Sequence, residues 1–225
     1  MTGFGIENEE APKSADAGMI ARIRALLAKA EGTDNDAERD AFTAKAANMS
    51  AKYGVDAAGS ADDDMTLKEY NVTGDFARQA GELIYWVAEA LGCRAVMTFE
   101  GVAVLGYASD VARCDILATC LGLQMNSSAA KVDGPYRVVE GWMLGFTTTA
   151  VSRLRDAEAR ARSRMDAGLL AARKAKVDEV FGQEFPATSK GKSRRGDLSG
   201  YAAGANAGRT ADIGQSRMQN RRAIG

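Results

Sequence analysis

The side chains best suited to acid–base or metal chemistry in this chain are the carboxylates Asp110, Asp115 and Glu140, with Glu100 close by. Carboxylates do such work only when they converge on one reacting atom or ion. Asp110 and Asp115 stand five residues apart on one predicted helix, which turns them about 140° away from each other. They share no face, and Asp110 has a simpler use as a helix N-cap. Asp62-Asp63-Asp64 lacks the remaining ligands of a calcium loop and reads as a solvated acidic run. Histidine is absent from all 225 residues. That excludes Ser-His-Asp and Cys-His catalysis, His-type zinc sites and the usual near-neutral acid–base group. Cys93, Cys114 and Cys120 lie at spacings of 21 and 6, which fit neither a C-x-x-C pair nor a zinc ribbon. They read as buried free thiols. No metal, no cofactor and no catalytic residue is assigned.

Glycines and cations leave other options. Gly101-x-x-x-x-Gly106 is not followed by Lys and Ser or Thr, so it is no phosphate loop. Gly141 and Gly145 fall inside a helical pattern and suit a close helix crossing. Gly200, Gly204 and Gly208 recur every four residues, which makes a flat helix face. That face would pack on the core or serve as an interaction surface. Residues 1–75 hold 8 Lys and Arg against 15 Asp and Glu, a net of −7. Residues 186–225 hold 8 against 2, a net of +6. Lys190, Lys192, Arg194 and Arg195, extended by Arg217, Arg221 and Arg222, suit phosphate contacts of the sequence-blind kind. Nucleic acid is the partner this gradient suggests, although aromatic residues for base stacking are few. The mixed signs along Arg153, Arg155, Arg160, Arg162 and Arg164 read instead as a solvated helix face.

The elements that position these groups follow from periodicity. Residues 1–15 have none. A helix is predicted from Asp16 to Glu31 on the stripe Ile20, Ile23, Leu26, Leu27 and Ala30. Asn35 and Glu38 have capping-box spacing for a second helix that Gly54 would end. The two form a helical hairpin, residues 16–56, and 57–64 is an acidic linker. Residues 65–185 then read as an α+β domain. It opens with a strand at 65–72 and a helix from Gly74 or Asp75 to Leu91. A β-hairpin of 93–99 with 102–107 comes next, then a helix capped by Ser109 or Asp110. A polar loop at 126–135 leads to a long helix over 137–179, with a break expected near Gly168. Residues 186–225 form a basic, glycine-rich tail with a short helix near 198–209. The fold class is α+β and mostly helical.

The run IRALLAKAE with AERDAFTAKAANMSAKYGVD resembles the domain of unknown function 2786 family (DUF2786). Ile23, Leu26, Leu27, Ala30, Glu31, Glu38, Ala41, Ala44, Lys45, Ala46, Met49, Tyr53, Gly54 and Asp56 carry that likeness. The stretch Val104 to Val111, the Trp142 to Phe146 run and Tyr201-x-x-Gly204 are similar to the region that often follows this hairpin. The resemblance implies a protein of bacteria or phages, and it supplies no catalytic residues. Packing accounts for most of the hairpin motif, leaving Glu31 and Lys45 as its polar positions available for interaction. No apolar run approaches the length of a membrane span, and the acidic N-terminus is unlike a signal peptide. The compartment expected is cytoplasmic, the host's if a phage encodes the chain. Three functions fit these observations. The first is a non-catalytic binding protein whose tail contacts nucleic acid. The second is an oligomeric, protein-binding or virion-associated component. The third is a histidine-free enzyme relying on Asp110, Asp115 and Glu140.

Overall fold

The computed structural model describes residues 15–57, 64–163, 166–189 and 198–213, with backbone alone for 15–17, 47–48 and 50–57. The first two helices are α1 (Ala15–Gly32) and α2 (Asp36–Ala57). Asn35 caps α2, its Oδ1 accepting from the Ala37 and Glu38 amides at 3.0 and 3.4 Å. The reciprocal half of a capping box does not form. Glu38 turns to the Thr33 hydroxyl at 3.0 Å, and the Asn35 amide donates to the same hydroxyl oxygen at 3.2 Å. Gly54 does not stop the helix, which continues to Ala57.

Strand β1 (Met65–Asn71) precedes α3 (Ala77–Ala90), and β2 (Arg94–Met97) and β3 (Gly101–Tyr107) make the expected hairpin. The sheet is antiparallel in the order β1-β3-β2, with Tyr70 opposite Val102 and Ala95 opposite Val104. A Cβ on Gly101 would lie 1.9 Å from the Tyr70 carbonyl oxygen. The neighbouring strand, as well as the turn, therefore requires glycine there.

Helix α4 (Ala108–Ala129) starts directly from β3 with Tyr107 as its N-cap, so Asp110 is not the cap and lies within the first turn. Helix α4 also runs on to Ala129, so the loop after it is shorter than the sequence suggests. The expected long helix is two, α5 (Tyr136–Arg162) and α6 (Ala167–Glu184). The break comes before Gly168, where Asp166 caps α6 by accepting from the Leu169 amide at 2.7 Å. Helix α7 (Tyr201–Thr210) completes the set.

One large core joins these pieces. The inner sheet face (Tyr70, Ala95, Val102, Val104) meets Leu83, Val87, Cys114 and Leu117 of α3 and α4, with Trp142, Phe146 and Leu154 of α5 behind them. The same cluster holds Ile23 and Leu27 of α1 and Ala46 of α2. The N-terminal hairpin therefore shares the core of the α+β region. The Cys120 thiol donates to the Thr43 carbonyl at 3.7 Å, and Arg24 reaches Asp115 at 3.5 Å.

Candidate functional site

The carboxylates singled out by chemistry point to three different places. Burial pushes the Asp110 carboxyl up, against the opposing pull of Arg113 and Arg173. Arg173 of α6 donates to it at 3.1 Å, and Arg113 stands 3.7 Å away. Asp115, on the far side of the same helix, accepts from Lys68 of β1 at 2.7 Å. Glu140 accepts from the Gln79 amide at 3.1 Å. Each is held by its own partner, and no two of them converge. Among the described residues no three His, Cys, Asp or Glu side chains gather as metal ligands would. The thiols are equally withdrawn. All three are buried, and burial pushes Cys114 up to about 12, which leaves it protonated and a poor nucleophile near neutral pH.

An ion lattice surrounds Asp110. Glu158 of α5 accepts from Arg113 at 2.5 Å and stands 3.8 Å from Arg162. Arg162 also donates to the Leu91 carbonyl at 2.5 Å, and its guanidinium lies against Gly92, whose φ of 86° favours glycine there. Arg153 donates to the Gly208 and Ala211 carbonyls at 2.9 and 2.7 Å. The mixed-sign face of α5 is thus not simply solvated. Arg153 and Arg162 hold it to the ends of α7 and α3. Charge alternation in the sequence could not show this, because the partners lie on other elements.

The glycine face of α7 lies against α5. A Cβ on Gly204 would fall 1.8 Å from the Trp142 carbonyl oxygen, and one on Gly208 would fall 2.6 Å from that of Phe146. Gly200 adopts φ 81°, where its Cβ would meet the Val138 carbonyl oxygen at 2.4 Å. Gly145 supplies the same allowance from α5, 2.1 Å from the Tyr201 carbonyl oxygen. Gly200, Gly204 and Gly208 are therefore covered within the chain, the core alternative of the two open to them. Glu31 and Lys45 are exposed on the hairpin.

Lys190, Lys192, Arg194, Arg195, Arg217, Arg221 and Arg222 lie outside the described residues, so no geometry attaches to them. Phe181 packs on the sheet before the first group, and α7 is seated on α5 between the two. A cleft of about 300 Å³ opens between α2, α4, α5 and α7, lined by Asp40, Gln124, Ser127, Thr210 and Asp212 among others. Several of its polar groups are already engaged. Gln124 exchanges bonds with the Asp212 backbone at 2.8 and 3.1 Å, Ser127 donates to the Gln124 carbonyl, and Thr210 donates to that of Ala207.

Residues 18–57, the hairpin, match the family model described as Protein of unknown function (DUF2786). No curated protein and no solved structure matches the chain.

Proposed function

We propose that the protein is a non-catalytic binding protein that engages nucleic acid through Lys190, Lys192, Arg194, Arg195, Arg217, Arg221 and Arg222. The observation that carries this reading is the net of +6 in residues 186–225, set against −7 in residues 1–75. The body supports it by what it withholds. Arg24, Lys68, Arg94, Arg113 and Arg173 are paired with carboxylates on other elements, so they stand as cross-links. In the sequence the basic groups stand on either side of α7. Such contacts recognise the phosphate backbone and no particular sequence. A cytoplasmic setting, in bacteria or in phage-infected cells, is part of the proposal. No helix among the described residues is long and apolar enough to cross a membrane.

Fluorescence anisotropy with a duplex oligonucleotide at several salt concentrations tests it. Each phosphate contact contributes about 0.9 to the slope of log K against log salt. Replacing Lys190, Lys192, Arg194 and Arg195 by Ala is expected to lower that slope by about three to four. Unchanged affinity and slope in the variant would overturn the role of this segment.

Self-association is the second reading, and one observation favours it. Phe99 stands fully exposed at the β2–β3 tip beside the half-exposed Met97. A Phe99→Ser chain that remains as oligomeric as the parent in light scattering counts against that tip.

A further inference from the structure

We propose that α6 is a releasable strap, unclasped from the outer face of the sheet by competing ions. The sheet has two unequal faces. Its inner face belongs to the main core, and no α6 side chain is part of that core. Its outer face offers Leu105, with Met65, Val96 and Tyr107 at the margin, and α6 covers it through Val177 and Phe181. Those two are the only buried residues of an eighteen-residue helix.

Two reciprocal clasps flank this small apolar contact. Arg173 of α6 lies 3.7 Å over the Tyr107 ring and donates to Asp110 at 3.1 Å. From the other side, Arg94 of β2 lies 4.9 Å over the Phe181 ring and donates to Asp178 at 2.9 Å. The second clasp is well solvated, its side chains 39% and 37% exposed, and salt screens such pairs first. The first is less exposed, at 16% and 15%, so an anion must compete with Asp110 for the guanidinium.

Two further ion pairs tie α6 to no other element. Lys174 pairs with Asp178 and Lys176 with Glu179, both within the helix. Asp166 caps its start. These local bonds support the helix when tertiary contacts are gone. Release would uncover Leu105 and Val96 and leave the main core as it is.

Hydrogen exchange on the full chain, followed by mass spectrometry, tests the proposal. A detached helix of eighteen residues is only marginally stable and frays, so in low salt α6 amides are expected to exchange ahead of those in α4 and α5. Raising potassium chloride from about 50 to about 500 mM, which shortens the screening length severalfold, is expected to accelerate α6 about tenfold and leave α4 unchanged. The double variant Arg94→Ala, Arg173→Ala, which leaves the pairs inside the helix in place, is expected to show the fast α6 rate already in low salt. Exchange of α6 in step with α4 at both salts would overturn the strap. So would a salt effect shared equally by both helices, since that is global destabilisation.

Discussion

At the scale of single residues, the α5–α7 seam is where one atom decides most. A methyl at Gly204 would stand 1.8 Å from a backbone oxygen, and a carbonyl in the middle of a helix cannot rotate away. The helices would have to part, straining the bonds from Arg153 to the Gly208 and Ala211 carbonyls. Gly204→Ala is expected to cost about 3 kcal/mol, the upper part of the usual overpacking range, read from the urea midpoint. Gly182 lies inside α6, and a methyl there would meet no atom within 4 Å. Gly182→Ala should stabilise by roughly 0.5 to 1 kcal/mol through helix propensity alone. Equal effects at the two positions would refute the seam. The four-residue glycine spacing is legible in the sequence as a flat face. Which surface fills that face is not, because the partner, Trp142 to Phe146, is over fifty residues away.

At the scale of elements, ion pairs decide how helices are fixed, and burial decides which pairs count. Arg113 and Glu158 are 8% and 12% exposed and join α4 to α5. Arg78 and Glu82 are 48% and 35% exposed and lie along α3 alone. Removing one partner of a buried pair costs about 3 to 5 kcal/mol, since the other charge stays desolvated. Asp110 remains near Arg113, so Glu158→Ala is expected at the low end, about 3 kcal/mol. Arg78→Ala should change stability by at most about 0.5 kcal/mol. Chemical denaturation of the two variants distinguishes them. Comparable losses would show that the lattice around Asp110 contributes no more than a surface pair. Asp110 is also where a local rule misleads. A Ser-Asp pair at a predicted helix start signals a cap, yet the helix begins at Ala108 with Tyr107 as its N-cap. The carboxylate then serves a tertiary contact instead.

At the scale of the whole molecule, the hairpin and the α+β region are joined through a common core. Ile23 is fully buried in the cluster that contains Trp142 and Leu117. Ile23→Ala is expected to cost about 2 to 4 kcal/mol, the range for such a truncation in a tight core. The consequence extends beyond the hairpin. Both tryptophans, Trp86 and Trp142, lie outside it, and their fluorescence should still unfold at the lowered midpoint, together with the far-ultraviolet circular dichroism. A tryptophan transition that stayed at the parent midpoint would mean that the hairpin folds by itself. The amphipathic stripe of α1 identifies which side is buried. It carries no information on whether that side meets only α2 or also α4.

The sequence by itself determined the helical hairpin, the β-hairpin, the glycine face and the charge gradient. The first three rest on spacings within about a dozen residues, where helix and strand periods and turn chemistry act directly, and the gradient is a count of charges. It also excluded histidine chemistry outright. Only the tertiary structure decided that Asp110, Asp115 and Glu140 have separate partners, that the α5 arginines are cross-links, and that the glycine face is internal. Those outcomes depend on which elements are neighbours, as Arg24 finding Asp115 across 91 positions shows. Burial then gives each such pairing its strength, and burial belongs to the assembled core rather than to any local stretch of chain.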